Sequence, residues 1–175
     1  MDLKSCIRTI PNWPKEGIMF RDITTLLKDA KAFDYVMTKL YDRYKDMDID
    51  FVAGIESRGF IIGGALANRL KKGFIPIRKA GKLPSLTEKE EYNLEYGSAV
   101  VEIHKDSIQA SQKILLVDDL IATAGTLLAS IKLIEKLGGK VVECAVIIEL
   151  PNHNGKEKIE KLGISLFSLV EFEGD

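Results

Sequence analysis

Residues 51–55, FVAGI, form an unbroken apolar run, the pattern of a short strand buried on both faces. A polar turn, Glu56-Ser57-Arg58-Gly59, follows. An apolar-rich stretch over residues 60–70 then predicts a helix, and FIPI at 74–77 predicts another strand. The same order recurs further on. ILLV at 114–117 reads as a strand, residues 118–125 as a turn, and 126–137 as a helix. That helix carries Leu127, Ile131, Ile134 and Leu137 at helical spacing and stops at Gly138-Gly139. Residues 141–150, rich in Val and Ile, return as a strand. Strand–turn–helix–strand twice over predicts βαβ units, hence an α/β fold with a central, mostly parallel sheet flanked by helices. In such sheets ligands bind beyond the carboxyl ends of the strands, where both polar turns fall.

The remaining pattern decorates this core. Residues 32–44 read as an amphipathic helix and residues 165–172 as a last strand. The stretch around Pro11, Trp13, Pro14 and Gly17 is irregular but apolar enough to pack down. Residues 79–97, KAGKLPSLTEKEEYNLEYG, read as a polar, turn-rich loop longer than an ordinary connection, which marks a functional or mobile segment. No repeat or linker divides the chain, so residues 1–175 are expected to form a single domain.

Composition narrows the function. With 25 basic and 26 acidic residues, net charge is close to zero, which argues against broad nucleic-acid binding. An anionic ligand must therefore be held locally. Two cysteines, Cys6 and Cys144, with no CxxC pattern, suit a reduced cytoplasmic protein. The first six residues lack the apolar core of a signal peptide, and the longest uncharged stretch, residues 120–131, is short of a membrane span.

The most informative segment is ILLVDDLIATAGT at 114–126. A hydrophobic strand leads into adjacent carboxylates, Asp118 and Asp119, and then into a turn of small and hydroxyl residues at a helix start. Free backbone N–H groups and the helix dipole favour a phosphate there, with Thr123 and Thr126 adding hydroxyl donors. The carboxylates suit sugar hydroxyls, or a magnesium ion through water. This is a site for a ribose 5-phosphate, and the lack of a following Gly-Lys-Ser/Thr separates it from a P-loop.

The same segment resembles the phosphoribosyl-pyrophosphate signature of type I phosphoribosyltransferases. Three others resemble the adenine phosphoribosyltransferases in particular: PKEGIMFRDI at 14–23, GIESRGF at 54–60, and RKAGKLP at 78–84 with LEYG at 94–97. The resemblance implies the type I fold, with a small N-terminal hood over about residues 1–30 and a flexible active-site loop over about residues 79–97. It implies transfer of the 5-phosphoribosyl group from phosphoribosyl pyrophosphate to adenine, with Mg2+, in a cytoplasmic homodimer that binds neither nucleic acid nor membrane. By similarity, Ala122, Thr123, Ala124, Gly125 and Thr126 hold the 5-phosphate. Asp118 and Asp119 bind the ribose hydroxyls and contact the metal through water. Glu56, Ser57 and Arg58 form the pyrophosphate loop, with a Glu56–Ser57 peptide that is cis in at least one ligand state. Arg78, Lys79 and Lys82 add positive charge against pyrophosphate, in the same subunit or across the dimer. Met19, Phe20 and Arg21 read the adenine edge and Leu150 packs near the ring. Glu95 carries the base's proton, and Tyr96 belongs to the closing loop.

Ala124 stands where the family usually has glycine, and at positive φ it would cost roughly 1 kcal/mol. Ala80 stands where some relatives carry a basic residue. Trp13 and Phe20 are expected to pack rather than stack on a base. His104 and His153 have no second His or Cys at ligand spacing, so zinc is not expected. Ser57 lacks the glycine of a nucleophile elbow. Two alternatives stay open: a phosphoribosyltransferase for hypoxanthine, guanine or xanthine, and a non-catalytic regulator that binds phosphoribosyl pyrophosphate.

Overall fold

The computed structural model describes residues 1–93 and 97–174. Among them an N-terminal ribbon of β1 (Arg8–Pro11) and β2 (Met19–Asp22) precedes α1 (Thr24–Lys28) and α2 (Ala30–Tyr44). Then follow β3 (Phe51–Ile55), α3 (Arg58–Leu70), β4 (Gly73–Lys79), β5 (Thr87–Asn93) and β6 (Ser98–His104). The last third holds β7 (Lys113–Ile121), α4 (Gly125–Lys136), β8 (Lys140–Glu149), α5 (Gly155–Glu160) and β9 (Ser165–Glu171).

Seven of the described strands form one sheet in the order β5-β6-β4-β3-β7-β8-β9. β4, β3, β7, β8 and β9 run parallel, whereas β6 joins β4 and β5 joins β6 antiparallel. The expected mostly parallel α/β sheet is therefore present. Its strands alternate between two cores. Ile114 and Leu116 of β7 face one apolar cluster with α4, while Leu115 and Val117 face the other with α2 and α3. Both faces are covered, which is why these strands read as continuous apolar runs.

β3 leads through α3 to β4 on one side, and β7 leads through α4 to β8 on the other. Because β3 and β7 are neighbours, with Gly54 opposite Val117, their carboxyl ends meet where the strand order reverses. Both polar turns open there.

Two expectations need correction. The strand read as ending at Val117 continues to Ile121, because β8 pairs with it as far as Ile121 opposite Glu149. Asp118 and Asp119 are thus strand residues rather than turn residues. The stretch 79–97, read as one loop, contains β5, which pairs with β6 from Thr87–His104 to Asn93–Ser98. Its periodicity was hidden because the inward positions are polar. Glu90 is half-buried by Lys132 and Lys136 of α4, at 3.2 and 2.6 Å, where an apolar side chain would ordinarily mark a strand. The expectation for Leu94, Glu95 and Tyr96 lies outside the described residues.

The N-terminal ribbon is tied down by a charge pair. Asp22, 8% exposed, accepts from Arg8 Nε at 3.1 Å and from the Thr24 backbone N–H at 2.9 Å. The Arg8 bond, then the Thr24 N–H, hold its pKa down at about 2 against 3.8 for a free side chain. A depressed carboxylate pKa stabilises the fold above the unfolded value and loses that contribution as pH falls toward the folded one. Arg8 is largely exposed, so Asp22→Asn is expected to cost only about 1 kcal/mol at neutral pH. The gap between parent and variant in urea midpoint should close as pH falls from about 4 to about 2.

Candidate active site

A cavity of about 390 Å³ opens at the β3–β7 junction. Glu56, Ser57, Arg58, Arg78, Lys79, Asp118, Asp119 and Thr126 line it, so the structure gathers these residues of the expected set at one place. Its wall also includes Ile55, Ile77, Tyr92, Val101 and Leu120, none of which the sequence singled out. Ile55, Ile77 and Leu120 lie near the ends of β3, β4 and β7 and Val101 in the middle of β6, so pairing them with the site requires the sheet order. Tyr92 comes from β5 and sits against Gly125, where an added Cβ would lie 3.2 Å from its ring. No sequence signal marked Tyr92, because the inward positions of its strand are mostly charged or polar and show no apolar alternation.

The junction is closely packed because two glycines allow it. A Cβ on Gly54 would lie 2.7 Å from the Gly59 carbonyl oxygen. One on Gly59 would lie 3.0 Å from both Asp118 Oδ1 and the Val117 carbonyl. A Cβ at Gly54 would clash outright and one at Gly59 would force its neighbours to shift, so the first turn of α3 rests directly on the end of β7. Arg58, at that turn, donates from Nε to Asp119 Oδ2 at 2.5 Å. The Glu56–Ser57 peptide just before it is cis, as the resemblance implies.

Charge in the cavity is arranged in pairs. Asp119 is buried and holds Arg58, whose guanidinium has further N–H donors for a ligand. Asp118 accepts the Asp119 backbone N–H at 2.9 Å. Desolvation by the surrounding protein, and then the charge of Asp119, push the Asp118 carboxyl well above the ordinary range. On the opposite wall Glu56 takes Arg78 through two bonds of 3.1 Å and the Lys79 backbone N–H through a third. The Arg78 bond in particular lowers the Glu56 pKa. Each arginine assigned to pyrophosphate is therefore fixed in direction by a carboxylate of the same site.

The turn at residues 122–126 opens α4. Lys158 of α5 donates to the Thr123 carbonyl at 3.1 Å, and Gly155 fits so tightly under Ala122 that a Cβ would fall 2.1 Å from its carbonyl oxygen. Only Thr126 of this turn lines the cavity. The first-turn N–H groups of a helix lack intrahelical partners and suit an anion. Lys82, Met19, Phe20, Arg21 and Leu150 also lie outside the cavity lining. The Arg21 guanidinium is engaged elsewhere: it donates to Thr9 at 2.6 Å and to the Gly174 carbonyl at 3.2 Å, and stacks 4.4 Å from the Phe172 ring centroid. Trp13 and Phe20 pack edge-to-face at 4.4 Å, in keeping with a packing role.

A phosphoribosyl transferase domain model matches residues 22–174. The chain is 55% identical over 175 residues to the adenine phosphoribosyltransferase of Desulfosudis oleivorans, covering 100% of each. This chain belongs to the adenine phosphoribosyltransferase family. Among solved structures, the family member from Thermoanaerobacter pseudethanolicus is similar with a TM-score of 0.93 at 47% identity, over 98% of each chain. The Saccharomyces cerevisiae member, solved with an imino-altritol bisphosphate and adenine, is similar at 0.89 and 37% over 97% of each chain.

Ala124, the family's usual glycine position, has φ 70°, ψ 6°. An alanine there is strained by about 1 kcal/mol relative to glycine. Ala129, in the middle of the same helix, is equally buried but helical. Both Ala→Gly changes lose a methyl and raise unfolded-chain entropy, so their difference isolates the strain. Ala129→Gly is expected to cost about 1.5 kcal/mol and Ala124→Gly about 0.5 kcal/mol. Chemical denaturation of both variants measures the difference.

Proposed function

We propose that the chain joins adenine to phosphoribosyl pyrophosphate, giving AMP and pyrophosphate. The observation that carries this reading is the meeting of Asp118–Asp119, Arg58 and the start of α4 at one sheet switch point. A phosphate on the 122–126 turn places a ribose against the carboxylates, which accept its hydroxyls. Ser57, Arg58, Arg78, Lys79 and Lys82 then receive the departing pyrophosphate. As it leaves, positive charge develops on the sugar, and fixed cations on the leaving group lower that barrier. Arg58 and Arg78 need no reorganisation for this, since Asp119 and Glu56 already orient them.

Adenine would lie between the hood and Leu150. β2 pairs with β1 along one edge, so its other edge has backbone donors and acceptors for an amino-pyrimidine edge. With the Arg21 side chain held by Thr9, Gly174 and Phe172, base reading falls to the main chain of residues 19–21. Glu95 is proposed to take the base's proton, with Tyr96 beside it on the closing segment.

Magnesium fits only as a partner of the substrate. The described residues hold no group of three or more His, Cys, Asp or Glu able to bind a metal, and Asp119 is already paired with Arg58. Asp118 and Asp119 would contact the substrate-held ion through water. Bound in this way, it supplies charge neutralisation of the pyrophosphate. The reading includes a homodimer in the reducing cytoplasm. Both cysteines are free, and burial pushes the Cys144 thiol up to about 12. No described helix is long and apolar enough to cross a membrane.

Two outcomes test this reading. Incubated with phosphoribosyl pyrophosphate, magnesium and single purines, the protein is expected to use adenine at least about a hundredfold better than hypoxanthine. Hypoxanthine reverses the donor–acceptor pair and leaves buried main-chain groups unmatched. Comparable kcat/KM for the two bases would refute the adenine assignment. Glu95→Gln keeps size and an acceptor but cannot take up a proton. Its kcat should fall about 10²–10⁴-fold with little change in affinity for phosphoribosyl pyrophosphate, whereas Glu91→Gln stays near the parent.

A further inference from the structure

We propose that Glu102 is a positioning residue for the pyrophosphate-binding cations, fixing the turn after β4 so that Arg78 is held at the cavity; this rests on the activity proposed above. Glu102 lies on β6, in register with Arg78 of β4 on one side and Lys89 of β5 on the other. It is 1% exposed. A carboxylate buried to that degree is costly unless its oxygens are satisfied.

What the carboxylate gains is the turn. Its Oε1 accepts the backbone N–H groups of Lys82 at 3.0 Å and Leu83 at 2.9 Å. Its Oε2 faces the Thr87 hydroxyl at 3.4 Å and the Lys89 ammonium at 3.9 Å. Burial alone would raise the pKa of Glu102, but the N–H groups of Leu83, Gly81 and Lys82, with Lys89, outweigh it and hold the group ionised. Gly81 takes φ +84°, the left-handed turn that lets successive N–H groups converge on one acceptor.

The turn in turn holds an arginine. Arg78 donates from Nη1 to the Lys82 carbonyl at 3.2 Å while its Nε and Nη2 grip Glu56 in the cavity wall. Two carboxylates thus fix Arg78, Glu56 directly and Glu102 through the turn. Only Glu56 is at the cavity. Glu102 is removed from the reacting atoms, and its effect travels through hydrogen-bonded backbone to the guanidinium.

The test is a substitution series read in two ways. Glu102→Ala removes the acceptor and should raise KM for phosphoribosyl pyrophosphate about tenfold, with KM for adenine within about twofold and kcat within about threefold. Glu102→Asp, too short to reach the turn, should behave like Ala. Glu102→Gln keeps an acceptor at Oε1 and should restore KM to within about threefold of the parent. In an Arg78→Ala background, Glu102→Ala should add less than about twofold, because the two act as one unit. If the alanine variant does not fold, the Asp–Gln pair carries the comparison. Unchanged KM for phosphoribosyl pyrophosphate in both Ala and Asp, equal rises in both KM values, or full additivity with Arg78→Ala would overturn the proposal. Calorimetric binding of inorganic pyrophosphate with magnesium needs no turnover and should weaken about tenfold in Glu102→Asp. A parent that binds pyrophosphate in this Glu102-dependent way yet forms no AMP would overturn the activity and keep the positioning role. A parent that forms AMP with unaltered pyrophosphate affinity in the variant would do the reverse.

Discussion

The site depends on the contact between the first turn of α3 and the end of β7. Gly54 and Gly59 remove every atom beyond Cα there, so a helix start, a strand end and a carboxylate share space that one methyl would fill. That approach brings Arg58 within bonding distance of Asp119 across 61 residues of sequence. It also brings residues 56–57 and the two acids into the lining of one cavity. Helix–strand packing at this density is rigid, because shifting either element by a fraction of an ångström costs van der Waals contact throughout.

Around that contact the charges form a balanced set rather than a cationic basket. Arg58 is held by Asp119, Arg78 by Glu56, and the turn behind Arg78 by Glu102. Unopposed positive charge would attract a polyanion, but like charges repel and long side chains are mobile. Pairing each arginine with an acid fixes its direction in advance, so the guanidinium donors beyond those bonds are pre-aimed. The acids also limit the local excess of charge, in keeping with a chain of 25 basic and 26 acidic residues. The raised pKa of Asp118 belongs to the same balance: two adjacent carboxylates share one cation, and burial penalises the second charge.

The β5–β6 hairpin adds a second layer. It reaches across α4, pinned by Glu90 to Lys132 and Lys136, and sets Tyr92 against Gly125 in the turn at residues 122–126. Val101 and Ile103 of β6 sit in the core beside α4, whereas β5 is held mainly by ionic and hydrogen-bonded contacts.

Sequence alone determined the parallel core. The runs 51–55, 114–117 and 141–150 are apolar because strands covered on both faces have no polar side, and nothing distant is needed to see it. It also located the Asp118–Thr126 segment, since acids and small residues in strict order describe their chemistry locally. What it left open had a common physical cause. β5 was hidden because its inward positions pair with charges on α4, and partners 42 or more residues away leave no periodic trace at the strand itself. Ile77, Val101 and Tyr92 became cavity residues only when the sheet order stacked β4, β6 and β5 in turn on one side of β3. The direction of the Arg21 side chain depended on the C-terminal segment, and the role of Glu102 on a turn 20 residues before it. Local pattern reports which surfaces a segment must bury; which partner satisfies a buried charge is decided only when the chain has closed on itself.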